Sequence, residues 1–304
     1  MYGVIDIGSN TIRLVIYKYE CGTLRPMINK KFSVGLASYI SDENILQEEG
    51  INKTILALKE FKEILYYISV KEVFPFATAS IRNVKNSKEV IEQIKKYTDF
   101  DVRVLSGSEE ATFDYYGAIE SMDLEEGLLV DIGGGSTELV FFKNKEVFLT
   151  HSIPIGSLNL YKKFVTNLVP NKKELKKIKD YVNTTLLDLN LNSDGGEISC
   201  EMLCGVGGTI RATKKLLYDM NSLYTENYSV SFLDDLLDRA KKDSSFFYNS
   251  LLQSSADRIH TFVPGLIILK QISSFYSSKV IYTSPYGVRE GFLHCTLQEK
   301  SLFE

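Results

Sequence analysis

The chain is short of the residues from which metal and redox centres are usually built. Its 304 residues include three histidines and four cysteines, Cys21, Cys200, Cys204 and Cys295. Histidines this few and scattered argue against a His-based metal site. The cysteines have neither metal-ligand spacing nor the density of a disulfide scaffold, and fit reduced thiols in a cytoplasm. No apolar run approaches the roughly 18 residues of a membrane span. The chain opens directly on a strand, with no signal peptide ahead of it. A cytoplasmic location without a membrane partner is therefore expected. There is no basic excess either. A net charge of −4 argues against nucleic acid as a partner, because a basic face would be needed. Any polyanionic substrate must be held by a local site. What is left is ordinary globular composition, 44% hydrophobic and 24% charged, in a chain long enough for two domains with cores of their own.

Residues 129–143 organise the rest. An apolar strand, Leu129 to Val130, runs into Asp131. Gly133, Gly134 and Gly135 follow, then Ser136, Thr137 and Glu138, then a second apolar strand. Glycines let the backbone curl until several N–H groups point at one place, and their missing side chains let a bulky anion approach. A carboxylate at the end of the first strand can hold a divalent cation against that anion. The alternative is an ordinary hairpin turn with glycine at its positive-φ positions.

The stretch repeats. Residues 4–18 align on it without a gap, so that Asp6 falls on Asp131, Ile7 on Ile132, Gly8 on Gly133, Leu14 on Leu139, Val15 on Val140 and Lys18 on Lys143. A repeat of this kind implies two similar domains, each opening with strand, acidic glycine-containing turn, strand. Two such turns facing each other across a cleft could hold a phosphate chain and its metal.

In chain order, strands are expected at 2–8, 12–19 and 24–35, and helical spacing covers 42–69. A strand at 72–77 runs into a polar turn, 78–83, before a helix near 86–98 and a strand at 101–105. Ser106 and Glu109 form a capping box, which starts a helix reaching about residue 120. Capping explains Glu109 fully. It explains Glu110 less well, although a carboxylate in a first helical turn is also simply favourable to the dipole. After the repeat come a strand at 145–152, a turn at 154–158, an amphipathic helix at 171–190 whose five lysines from 172 to 179 read as a solvated face, a loop at Asp194-Gly195-Gly196, and the segment 202–211. In that last segment a strand meets a Gly-rich turn and a helix start, a combination that binds anions. Residues 229–253 are expected to be helical, polar-rich and peripheral. Arg258 precedes an apolar helix opened by Pro264-Gly265. A final strand at 280–283 leads through Tyr286–Gly291 into the closing helix. Strands alternate with helices, so the class is α/β.

Together these stretches resemble the exopolyphosphatase and guanosine pentaphosphate phosphohydrolase family of the actin-like ATPase superfamily. The motifs that carry the resemblance are Asp6-Ile-Gly-Ser-Asn10, Ala77-Thr-Ala-Ser-Ile-Arg82, Ser106-Gly-Ser-Glu-Glu-Ala111, Asp131-Ile-Gly-Gly-Gly-Ser-Thr-Glu138, Gly205-Val-Gly-Gly-Thr209, Val263-Pro-Gly265 and Gly287-Val-Arg-Glu-Gly291. Each is weak alone, and the ordered set is specific.

The resemblance implies two ribonuclease-H-like (actin-like ATPase) domains, 1–121 and 122–304, with the active site in the cleft between them and the closing helix 288–304 returning to the first. It implies an exopolyphosphatase that removes the terminal phosphate of inorganic polyphosphate, or alternatively of guanosine pentaphosphate, or a non-catalytic binder of either. By position, Glu110 matches the general base. Asp6, Asp131 and Glu138 match acidic positions around the metal. Ser9, Asn10, Arg82, Gly133, Gly134, Gly135, Ser136, Thr137, Gly207, Gly208 and Thr209 match phosphate-contacting positions. The implied cofactor is Mg²⁺ or another divalent cation such as Mn²⁺, with K⁺ as a further candidate, and the implied assembly is a homodimer. The sequence departs from the family twice. It ends without the long C-terminal helical extension of many members, which is implicated in gripping long polymers. It also has Asn159 where many relatives have arginine, which removes one possible phosphate contact.

Overall fold

The structure is a computed structural model, and it describes residues 1–20, 22–119, 121–122, 124–189, 198–221, 227–242 and 244–301. The expected loop at 194–196 lies outside them, as do Cys21 and residues 302–304 of the expected closing helix. Among the described residues no helix is long and apolar enough to cross a membrane. The chain divides into two compact units. One is Met1–Gly117 with the closing helix, and the other is Ala118–Gly287.

The first unit is a five-stranded sheet in the order β3-β2-β1-β4-β5. Its strands are β1 (Tyr2–Ile7), β2 (Ile12–Glu20), β3 (Thr23–Phe32), β4 (Glu72–Ala77) and β5 (Arg103–Val104), and its helices are α1 (Glu48–Tyr66), α2 (Ala79–Arg82), α3 (Ser87–Thr98), α4 (Gly107–Ile119) and, at the end of the chain, α11 (Val288–Ser301). β1 pairs antiparallel with β2 and parallel with β4. The parallel pairing needs a crossover, which α1 supplies. Successive side chains of a strand point to opposite faces, and β1 is apolar on both. Ile5 and Ile7 join Leu58, Phe61, Val90 and Ile94 in one core. Val4 joins Tyr17, Phe76, Phe292 and Leu293 in another, on the face that α11 covers.

Two expectations change here. The helical pattern at 42–69 shrinks to Glu48–Tyr66, because Ile40 and Leu46 form a β-bridge that closes a turn through Asn44 at φ 63°. The polar turn at 78–83 winds into the short helix α2, with Ile81 and Arg82 both donating backbone N–H bonds to the Thr78 carbonyl.

The second unit is a six-stranded sheet in the order β10-β11-β9-β6-β7-β8. The strands are β6 (Glu126–Ile132), β7 (Thr137–Lys143), β8 (Glu146–Ile153), β9 (Met202–Val206), β10 (Asn227–Ser229) and β11 (Val280–Thr283). Its helices are α5 (Ser157–Phe164), α6 (Lys172–Asp188), α7 (Gly207–Asn221), α8 (Ser231–Lys242), α9 (Ser244–Ser255) and α10 (Phe262–Phe275). Reading outward from β8, five of the strands repeat the order and sense of the first sheet: β6 pairs antiparallel with β7 and parallel with β9, as β1 does with β2 and β4. The gapless sequence repeat carries into register, since Ile7 opposes Ile12 and Ile132 opposes Thr137.

α6 starts at a reciprocal cap. The Asn171 side chain accepts from the N–H groups of Lys173 and Glu174, and Glu174 accepts from the Asn171 N–H at 2.8 Å. α10 is apolar on nearly every side and is accordingly buried. It begins two residues before Pro264, which sits in the first turn, where a missing N–H costs no helical bond. The helical stretch expected over 229–253 is two helices, α8 and α9, with β10 just ahead of them. Leu233 and Leu236 of α8 and Phe247 and Leu251 of α9 enter one core, and α8 packs on α9, which a straight helix cannot do with its own two halves.

Candidate functional site

In the first unit the site residues gather at the ends of β1 and β4 and at the start of α4. The Gly8 N–H donates to the Thr11 carbonyl at 3.0 Å and closes the turn. The N–H groups of Ala37 and Gly35 hold the carbonyls of Ser9 and Asn10 from the other side. Asp6, at the end of β1, accepts from the Arg289 guanidinium at 3.1 Å. Burial pushes the Asp6 carboxyl above the usual range, while Arg289 and Arg13 pull it down. The next residue of α11, Glu290, accepts from the buried Tyr17 hydroxyl. α11 reaches this position because Gly291 lies against α4: a Cβ there would come within 1.8 Å of the Phe113 carbonyl oxygen.

The adjacent carboxylates Glu109 and Glu110 part company at the helix start. Glu109 accepts from the Ser106 N–H at 2.8 Å, the Ser106 hydroxyl accepts from the Glu109 N–H at 3.1 Å, and Arg103 pairs with Glu109 at 2.6 Å. The Ser106 backbone N–H, and after it Arg103, holds the Glu109 carboxyl below the ordinary range. Glu110 is buried and lies 2.6 Å from Nη1 of Arg82, which also donates to the Leu105 carbonyl at 3.0 Å. The fold thus brings together Arg82 and Glu110, 28 residues apart.

This division of labour has a pH signature. A carboxylate with a lowered folded pKa stabilises above its unfolded pKa, and that contribution is lost as pH falls through the folded value. Glu109→Gln is expected to cost about 1 kcal/mol at pH 7, as loss of a helix cap does. The difference from the unmodified chain should begin to narrow below about pH 4, where free glutamate protonates, and close as pH falls through the lower folded value. Urea unfolding midpoints at pH 7 and pH 3.5 check it.

In the second unit the triple-glycine turn joins β6 to β7, with Asp131 directly opposite Glu138. The Gly133 N–H donates to the Ser136 carbonyl at 3.0 Å, the same closure as at Gly8. The start of α5 then captures the carbonyls of all three glycines. Ser157 N–H donates to Gly133 O at 2.9 Å, Leu158 N–H to Gly134 O at 3.0 Å, and the Asn159 side-chain amide to Gly135 O at 2.8 Å. A trans peptide points its N–H opposite to its C=O, and none of these peptides is cis. The N–H groups of Gly134, Gly135 and Ser136 are therefore turned away from α5, as in a backbone nest for an anion. Thr137 donates its hydroxyl to the Ile155 carbonyl at 2.6 Å, so that side chain braces the turn. Ser136 is buried, and Glu138 is fully buried and accepts from Ser152 at 2.8 Å.

The start of α7 meets this turn through Asp131. Gly207 adopts φ +84°, and a Cβ on it would fall 2.0 Å from Asp131 Oδ1. A Cβ on Gly208 would fall 1.8 Å from Nη2 of Arg258. Thr209 is buried, and Gly265 of α10 lies against it. Two glycines thus leave room for one carboxylate and one guanidinium at a helix N-terminus. Burial lowers the Arg258 pKa, and Asp257 and Asp131 oppose the fall.

The sequence reading assigned no role to Arg258, Arg289 or Asn159. The signal for Arg258 is the Gly207-Gly208 pair itself, since adjacent glycines mark the close approach of something bulky. Asn159 does more than omit an arginine: its amide holds the turn, and its Oδ1 accepts from the Gly156 N–H at 2.9 Å.

Among the described residues no group of three or more His, Cys, Asp or Glu side chains is arranged to hold a metal. That is compatible with Mg²⁺, which is commonly held by one or two carboxylates together with substrate phosphate and water. The cradle beside Asp131, kept open by Gly207, is an oxygen-donor position of that kind.

A family model described as the Ppx/GppA phosphatase family matches residues 15–300. The chain is 24% identical over 299 residues to exopolyphosphatase 1 of Mycobacterium tuberculosis, covering 96% of this chain and 86% of that protein. Its fold is similar to the crystal structure of the Aquifex aeolicus Ppx/GppA family member, with a TM-score of 0.79, 27% identity and 98% of each chain covered. It is similar also to an exopolyphosphatase structure from Cytophaga hutchinsonii, with a TM-score of 0.85, 24% identity and 98% of each chain covered.

Proposed function

The chain belongs to the Ppx/GppA phosphatase family and is a phosphoanhydride hydrolase, and on that premise we propose that it is an exopolyphosphatase, releasing orthophosphate from the end of inorganic polyphosphate. The observation that carries this reading is the set of three glycine carbonyls captured by α5, which leaves consecutive N–H groups on the other side of the turn. A terminal phosphoryl group spreads negative charge over its non-bridging oxygens during transfer, so preorganised donors do most of the work. Arg258 and the α7 N-terminus add positive potential at Asp131.

Water is the nucleophile. It attacks the terminal phosphorus, its proton passes to Glu110, and the bond from phosphorus to the bridging oxygen breaks. Orthophosphate leaves, and the shortened chain departs carrying the bridging oxygen as an anion. Arg82 keeps Glu110 paired and positioned. Asp131, with Glu138 behind it, and Asp6 are the proposed carboxylates toward a divalent cation, which when bound neutralises phosphate charge. The name of the Mycobacterium relative supports polyphosphate as the substrate.

The test is orthophosphate release from polyphosphates of graded length, with guanosine pentaphosphate alongside at equal phosphoanhydride concentration. Polyphosphate is expected to be hydrolysed with the higher kcat/KM. Turnover of guanosine pentaphosphate alone would move the assignment to the 5′-phosphohydrolase reading. Binding of either without turnover under Mg²⁺ and Mn²⁺ would replace catalysis by sensing.

A further inference from the structure

The second unit carries a lysine-rimmed groove that the reaction does not use. α6, α8 and α10 enclose a cavity of about 360 Å³ floored by Leu175, Leu237 and Ile267. Five lysines and two aspartates surround that floor. Both carboxylates are already engaged. Asp234 pairs with Lys270 at 2.6 Å, and Asp238 pairs with Lys241 at 3.4 Å and Lys242 at 3.2 Å. The other three lysines, Lys172, Lys176 and Lys179, have no ion pair among the described residues, and all three are exposed.

Their arrangement departs from that of a solvated charge run. The spacing of four and then three residues sets all three on one face of α6, where like charges repel. The row spans about 10 Å along the helix axis at 1.5 Å per residue. It faces lysines contributed by two other helices, in a chain whose net charge is −4. An ammonium is a compact point charge on a flexible stem, suited to a linear anion that presents charge at intervals without a fixed planar geometry.

α10 connects the groove to the candidate site. At its first turn Gly265 lies against Thr209, and Ile267 and Lys270, two and five residues later, line the groove. A polymer long enough to reach over the surface from one end of α10 to the other can be engaged at both places, whereas a short one cannot.

We propose that this groove is an accessory binding site for inorganic polyphosphate, holding a segment remote from the end being hydrolysed. The proposal rests on the exopolyphosphatase reading for its substrate and on the groove for its location.

The test uses the full chain carrying Lys172→Gln, Lys176→Gln and Lys179→Gln together, none of which belongs to the phosphate or proton-transfer machinery. Removing three surface charges that each contribute modestly should raise KM for long-chain polyphosphate about tenfold at low salt. The kcat, and KM for tripolyphosphate, should stay as they were. The difference should shrink at high ionic strength. An unchanged long-chain KM, or an equal rise for both lengths, overturns the proposal. If the unmodified chain releases no phosphate from polyphosphate, the functional reading has failed independently. Equilibrium binding of long-chain polyphosphate to the two proteins then decides the groove: weaker binding by the variant supports it, and equal binding overturns it. A variant that loses guanosine pentaphosphate but keeps polyphosphate would assign the groove to a nucleotide instead and sink the proposal.

Discussion

Glu110→Gln is expected to keep the fold and to lower orthophosphate release by about 10²- to 10⁴-fold, the range that a positioned acid or base contributes. The substitution preserves shape and removes the group that accepts the proton. The cap of α4 survives, because the reciprocal bonds at that helix start belong to Ser106 and Glu109. Arg82 keeps the Leu105 carbonyl at 3.0 Å, so its guanidinium is still hydrogen-bonded when its carboxylate partner becomes an amide. A stability loss of about 1–3 kcal/mol follows from weakening a largely buried charged pair. Kinetics and a thermal melt on one preparation separate the two effects. Full activity in this variant would remove Glu110 from its role, and an unfolded variant would show that the pair with Arg82 is structural first.

The second large effect is expected at a glycine with an ordinary backbone. Gly156 has φ −131° and ψ 164°, a conformation that any residue adopts. Its side is nevertheless closed, since a Cβ would come within 2.3 Å of both the carbonyl carbon and the oxygen of Gly134 and 2.4 Å of the Gly135 nitrogen. These are backbone atoms of the triple-glycine turn and cannot swing aside as a side chain would. Gly156→Ala must therefore push the turn and the start of α5 apart, breaking the bonds that orient the nest. Displacement by about 1 Å costs on the order of 10²-fold in a site that works by positioning. Overpacking of this kind adds about 1–3 kcal/mol of destabilisation. The kcat/KM for tripolyphosphate and a urea unfolding curve measure both. Values equal to those of the unmodified chain would mean that the turn is not held by α5 as described.

Much of the architecture can be read from local pattern. The gapless match of 4–18 on 129–143 was legible because a hairpin's register is set by its own residues, and the two copies close their turns through the same bond, Gly8 to Thr11 and Gly133 to Ser136. The capping box at Ser106 and Glu109 was legible because a cap lies within one helical turn. The strand at 280–283 was legible because glycine, proline and serine punctuate the chain just after it. The break between α8 and α9 was not, because polar-rich helical spacing does not mark where one helix ends and the next begins. β10 and α2 were missed for a related reason: each is short and owes its form to neighbours.

The amino-acid sequence by itself determined the α/β class, the doubled strand–turn–strand unit and the identity of the acidic, glycine-rich and arginine-bearing segments, because these depend on residue type and on spacing along the chain. Only the tertiary structure decided which of those segments meet. It brought Arg82 to Glu110, Arg289 to Asp6, Arg258 to the face of Gly208, and the start of α5 to the carbonyls of the triple glycine. Those contacts join residues from 24 to 283 positions apart. They exist because sheets and helices pack their apolar faces, and the polar ends are carried along to wherever that packing leaves them.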